Sequence, residues 1–231
     1  MCGAFMNNAS ETMGPSRSTI ALRAAQFLVA LVLLAAGLRG TSSLVAQAGN
    51  AEPDAQLSPE AAASAAAKFY RIEEAFRSGL SFGALQITEP EANSYLRYEL
   101  APSFPSGVSQ VRLTFQPNRI LGSSVVDFDK LKEGRRVPPN PLADFLLRGE
   151  HTVAAQGTVW GANGAAEFHL EWVTLDGVTL PRAVVEFLIE YYLQSRFPGA
   201  AINRPFLLPF AIDSLRAETG SVVLASKAQR Q

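Results

Sequence analysis

The chain has 231 residues, of which 20 are basic and 21 acidic, and 48% of it is hydrophobic. A balance this close to neutral excludes the basic stripe that a nucleic-acid surface normally needs, so no nucleic-acid partner is expected. The hydrophobic share, with 14 phenylalanines, excludes a disordered chain.

Taken in chain order, residues 24–38 form an apolar run broken only by Gln26 and Gly37, with Arg17 and Arg23 before it and Arg39 after it. Ala46-Gln47-Ala48 then gives the small-x-small pattern read by a signal peptidase. The fifteen residues between Arg23 and Arg39 fall short of the roughly 20 that a spanning helix needs. Residues 1–48 are therefore expected to be a signal peptide cut after Ala48, with a retained membrane anchor as the alternative. Either way the remainder is exported, periplasmic or tethered to the membrane facing the periplasm. Residues 1–14 are polar and shapeless, and Met13 gives a tidier start, so the leader reads as over-long. Cys2, the only cysteine, lies within it, and no disulfide or cysteine-bound metal is expected in the mature protein.

Residues 49–57 read as a polar tether, and residues 58–231 as a single α+β domain. Ser58 and Pro59 supply an N-cap and a first-turn proline for a helix over 58–78, which Gly79 ends. Ala65, Phe69, Ile72 and Phe76 share its apolar face. Its alanine-rich first half has little to bury and reads as a stalk. A strand over 80–87 leads into Thr88, with Glu91 three residues on, which is a capping box. The helix it opens turns Ala92, Tyr95, Leu96 and Leu100 inward and closes at Pro102.

Residues 108–115 and 120–128 flank Pro117-Asn118-Arg119 and read as a hairpin, with Val111, Leu113 and Phe115 on one face. A charged loop over 130–139 and a short helix over 140–147 follow. A second hairpin, 151–160 with 165–174, turns at Asn163-Gly164, a strong local signal for a tight turn. In its second arm Ala166, Phe168, Leu170 and Trp172 alternate with Glu167, His169 and Glu171. The helix expected over 181–197 keeps its polar residues, Arg182, Glu186, Glu190 and Gln194, on one narrow stripe. Its apolar arc is much wider than the ~100° that a helix resting on a flat sheet presents. It therefore needs cover on more than one side, from a curved sheet, a bound lipid or a partner. Residues 206–225 close the domain with a pair of strands.

Catalytic patterns are scarce. Glu167, His169 and Glu171 fall at alternate positions on one strand, and Asp127 and Asp129 share a face, but an alternating polar face is the ordinary outcome of a half-buried strand. No Gly-x-Ser-x-Gly elbow, phosphate loop or dinucleotide fingerprint is present. Arg135-Arg136 falls short of a basic head-group cluster. No catalytic residue, metal or cofactor is expected.

The strand entering Thr88-Glu89-Pro90-Glu91-Ala92-Asn93-Ser94-Tyr95-Leu96, the two amphipathic hairpins, the stretch from Gly177 to Pro181, the apolar helix and the closing Leu208-Pro209-Phe210 strand pair resemble the small bacterial envelope proteins of the YceB and YpmS kind. Those are relatives of the tubular lipid-binding (TULIP) superfamily, and the likeness spans residues 80–225. It implies an α+β fold in which a strongly curved antiparallel sheet wraps around a long apolar helix, with additional short helices and an apolar groove for acyl chains. Groove-lining residues then follow by position: Val111, Leu113 and Phe115 from the first hairpin, Phe168, Leu170 and Trp172 from the second, and Val185, Leu188, Ile189 and Tyr192 from the helix. The helix over 58–78 has no counterpart in that group. The expected function is non-enzymatic binding of a lipid or other acyl ligand in the cell envelope, with contact to a membrane surface open. The alternative is an envelope adaptor that docks a protein partner through the apolar helix or an edge strand.

Overall fold

The computed structural model describes residues 57–132, 147–188 and 205–227. The leader, the short helix expected over 140–147 except Leu147, and the apolar helix beyond Leu188 fall outside them. The fold is α+β. Helix α1 (Pro59–Arg77) is followed by β1 (Ala84–Thr88) and α2 (Glu89–Tyr95), which continues through a π-helical turn (Leu96–Leu100) and a short 3-10 turn (Ala101–Ser103). Then come β2 (Val108–Gln116), β3 (Arg119–Asp127), α3 (Phe128–Lys132), β4 (Glu150–Ala162), β5 (Ala165–Leu175), β6 (Val178–Thr179), α4 (Arg182–Leu188), β7 (Phe206–Leu207), β8 (Ile212–Glu218) and β9 (Ser221–Ser226). Among the described residues no helix is long and apolar enough to cross a membrane.

All strands join one open, wholly antiparallel sheet in the order β1-β9-β8-β4-β3-β2, with β5 on the other side of β4 and the short β6 and β7 on β5. The long β4 organises it. One edge of β4 pairs with β3 from Glu150 to Thr158, and β8 then takes over that edge at Trp160 and Gly161. The tips of the two hairpins hook together where they diverge. Asn118 N–H donates to the Ala217 carbonyl (2.9 Å), Gly220 N–H to that of Phe115 (3.0 Å), and Val159 N–H to that of Asn118 (2.9 Å). Asn118 has φ 57°, a left-handed conformation that asparagine tolerates better than most residues.

Ser58 caps α1 by accepting from Ala61 N–H (3.1 Å), and its own N–H donates to the Ser94 hydroxyl (3.1 Å). The alanine-rich half of α1 is not a stalk, because Ala62 and Ala65 are 0% exposed. Small side chains let a helix approach its neighbours closely, and the alanines serve that contact rather than a large apolar payload. The apolar face also drifts from the expected one. Ala75 is buried beside Ile72, while Phe76 is 53% exposed and meets the edge of Phe210, with ring centroids 5.8 Å apart.

One core joins α1 (Ala65, Ile72), α2 and its π-helical turn (Tyr95, Leu96) and the inward residues of both strand hairpins and the β8–β9 pair. A second, smaller cluster of Val126, Phe128, Leu131 and Leu147 sits where β3 gives way to α3. Val153 packs against both.

Candidate functional site

The richest set of buried polar side chains lies on α2 and the residue before it. Thr88 caps the helix and Glu91 closes the capping box. Glu89 Oε2 accepts from Phe115 N–H (3.0 Å). The Asn93 amide meets both backbone groups of one residue on β2: Oδ1 accepts from Leu113 N–H (2.7 Å) and Nδ2 donates to the Leu113 carbonyl (2.8 Å). Since among the described residues β2 has a strand partner only on its β3 side, Asn93 and Glu89 stand in for a second strand. This satisfies edge groups that otherwise template association.

Glu91 ties three elements. Both of its carboxylate oxygens lie 2.7 Å from Lys68 Nζ, Ser64 Oγ donates to it at 2.5 Å, and Thr88 N–H at 2.8 Å. Lys68 Nζ also donates to the Gln86 carbonyl (2.7 Å), which fastens α1 to β1. Burial pushes the Glu91 carboxyl up, but Lys68, Ser64 and the Thr88 N–H and hydroxyl outweigh it and hold the group at about 2. Glu91→Gln is expected to cost about 1–3 kcal/mol at neutral pH, since it leaves Lys68 without its anion. The folded-state value lies below the ordinary one, so this contribution is present above the ordinary carboxylate value of 4.5 and lost as pH falls toward about 2. Denaturant unfolding of parent and variant at stepped pH should show the two stabilities converging toward acid.

The expected groove residues divide. Leu113, Phe115, Phe168, Leu170 and Val185 come together, and all are buried within the main core alongside side chains from α1 and α2. Val111 is half-buried against that core. Leu188 and its neighbour Phe187 pack instead on the second cluster. Ile189 and Tyr192 lie outside the described residues.

Trp172 does not share the face of Phe168 and Leu170. The register slips between Gln156 and Gly157, where Gln156 faces Trp172 but Gly157 faces Leu170, so Glu171 is an extra residue in β5. Such a bulge moves every later side chain to the opposite face. Val173 therefore takes the inward position at 1% exposure, while Trp172 stands across from half-buried Gln156. Glu171 accepts from Gln156 Nε2 (2.6 Å) and Arg119 Nε (3.0 Å) on that outer side.

The titratable groups that the sequence offered for chemistry are engaged structurally. Asp127 Oδ1 accepts from the N–H groups of Asp129 and Lys130 (3.1 Å each), capping α3. Asp129 Oδ2 accepts from Gly149 N–H (2.9 Å). His169 pairs with Glu167 (3.0 Å) while Glu171 turns to Arg119, so the three do not converge on one point. Among the described residues no group of three or more His, Cys, Asp or Glu is placed to hold a metal ion.

The edge-sealing role of Asn93 and Glu89 was not legible beforehand. The one available signal was an asparagine, a poor helix former, at a position that the helical face turns inward. No protein-family model, curated protein or solved structure matches the chain.

Proposed function

We propose that this chain is a non-enzymatic binder of a lipid or other acyl ligand in the bacterial cell envelope, with a strongly bent sheet and α4 forming the binding region. The observation that carries this reading is the second apolar cluster. Val108, Val153, Leu175, Phe187 and Leu188 pack against it and are only partly buried, so apolar surface stays accessible at this end of the sheet. Five of the residues first expected to line a groove are packed into the main core, so the binding region is assigned to the α4 end of the sheet instead. Each acyl methylene buried there would contribute about 0.8 kcal/mol.

Solvent extraction of the purified protein with mass spectrometry should release a lipid, and the emptied protein should take up 1-N-phenylnaphthylamine. Leu188→Asp is expected to weaken probe binding about 10–100-fold, the loss set by one buried aliphatic side chain. Leu170→Ala, in the main core, should lower stability and leave the probe affinity of the folded fraction unchanged. A clean extract together with no probe uptake would remove the proposal.

A second reading, an envelope adaptor, draws on Leu207. It is 83% exposed on the short outlying strand β7. Crosslinking in the native envelope should then trap one dominant protein, with Leu207→Lys abolishing capture.

A further inference from the structure

His151, the second residue of β4, has its imidazole wedged between two hydrogen-bond acceptors. Nδ1 lies 2.7 Å from Asp176 Oδ2, and Nε2 lies 2.8 Å from the Arg148 carbonyl oxygen. An ionised carboxylate and a carbonyl can only accept, so both ring nitrogens must carry protons to satisfy this geometry. Asp176 is itself fixed: its Oδ1 accepts from Thr152 N–H (2.8 Å), and its N–H donates to the Thr152 carbonyl (2.8 Å). The ring also lies against Phe128, with centroids 5.8 Å apart, and Phe128 belongs to the second apolar cluster.

On the other side of the ring, both backbone groups of Gly149 are engaged. Gly149 N–H donates to Asp129 Oδ2 (2.9 Å), and the Gly149 carbonyl accepts from Phe128 N–H (2.9 Å). Gly149 has φ 77° and open space where a Cβ would stand, so it is suited to act as a hinge. Immediately before it, Leu147 is buried in the second cluster.

We propose that the His151 imidazolium is a proton-operated latch that holds Leu147 down on the second apolar cluster through the Arg148 carbonyl, so that protonation closes this end of the sheet and deprotonation releases it. The latch goes beyond the binding reading and operates whether or not a ligand is present.

The direction of release follows from the two acceptors. Anionic Asp176 holds the Nδ1 proton more tightly than a neutral carbonyl holds the one on Nε2. The proton therefore leaves Nε2, whose lone pair then faces the Arg148 oxygen and repels it. The charged residues of the elements packed on the ring are Asp176 on the β5–β6 turn, Asp129 on α3, and Arg148 and Glu150 flanking Gly149. Asp127 and Lys130 pair with each other at 2.8 Å. The Asp176 hydrogen bond foremost, opposed by burial and reinforced by the Arg148 carbonyl and the charges of Asp176 and Asp129, raises the ring above the ordinary histidine value of 6.5. A raised value means that the latch is fully closed below 6.5 and opens as pH climbs through the folded-state value.

The test is a nuclear magnetic resonance titration of the full chain from about pH 5 to about pH 9, spanning the range in which histidines change charge. It follows the ring protons of both histidines and the methyl groups of Leu147, with His169→Gln used for assignment. The expected result is a His151 midpoint above the ordinary histidine value, with the Leu147 methyls moving at the same midpoint. In Asp176→Asn both midpoints should fall together, and in His151→Gln the Leu147 methyls should no longer respond. Leu147 methyls that stay still while the ring titrates, or a ring midpoint at or below the ordinary value, would overturn the latch.

Discussion

Asn93→Ala is expected to destabilise the domain by about 2–6 kcal/mol. The change strands two buried backbone groups at once, and each unsatisfied group costs about 1–3 kcal/mol. Asn93 is buried, and its amide supplies both the acceptor for Leu113 N–H and the donor for the Leu113 carbonyl. Whole-domain stabilities are about 5–15 kcal/mol, so the loss is a large fraction of the total. Chemical denaturation should show a lower midpoint with an unchanged slope. Asn93→Asp separates the two halves of the contact. Its carboxylate still accepts from Leu113 N–H but faces the Leu113 carbonyl with a second acceptor, so it should fall no closer to the parent than Asn93→Ala does. The variant also leaves β2 with an open edge, which favours edge-to-edge pairing. Light scattering that rises in Asn93→Ala before global unfolding would report that edge directly. An alanine variant as stable as the parent would show that water replaces the amide at no cost.

What the sequence made legible, and what it did not, follows the range of the interactions involved. The Thr88–Glu91 capping box and the Asn163-Gly164 turn are local signals, and both stand where residue chemistry places them, with Asn163 at φ 55° and Gly164 at φ 77°. Ala92, Tyr95, Leu96 and Leu100 are all buried as their spacing requires, even though the helix changes to π geometry at Leu96. Alternation along β5 reads correctly through Leu170 and then fails, because a bulge depends on how two strands register against each other. The extra residue, Glu171, carries no turn chemistry of its own. The alanine-rich half of α1 is core rather than the expected stalk for a related reason. Burial of small side chains reflects what lies opposite them, and here that is a second helix. Likewise, the sequence favours core over groove for Phe168 and Leu170 only because such residues are usually buried. Which neighbours bury them depends on contacts distant in the chain, and both lie in the main core cluster beside residues of α1 and α2.

The bulge and the glycine opposite it make a second strong prediction. Gly157 pairs with Leu170 just past the register slip, and a Cβ built there would collide with the ring of Phe168 and stand 2.7 Å from the His169 carbonyl oxygen. Phe168 is among the largest fully buried side chains, so its ring has no free space into which to withdraw. Replacing glycine with alanine normally stabilises a strand by restricting the unfolded chain, by about 0.4–1 kcal/mol where the backbone permits it. Overpacking costs about 1–3 kcal/mol or more, so the collision should win and Gly157→Ala should be net destabilising. The mechanism is separable from a general dislike of mutation at this position. Phe168→Leu shortens the offending side chain and alone costs about 0.5–3 kcal/mol through the void it leaves. In the double variant the new methyl enters that void, so its loss should be smaller than the sum of the single losses by about 0.5–3 kcal/mol. Strict additivity in thermal or denaturant unfolding would mean that the strain sits in the His169 backbone contact rather than the ring. A stabilised Gly157→Ala would mean that β4 and β5 stand farther apart than the Phe168 contact requires. The ring over the glycine also gives Gly157 a reason to be glycine that turn geometry does not supply, because an aromatic ring can cover a strand glycine at the point where the paired strands bend.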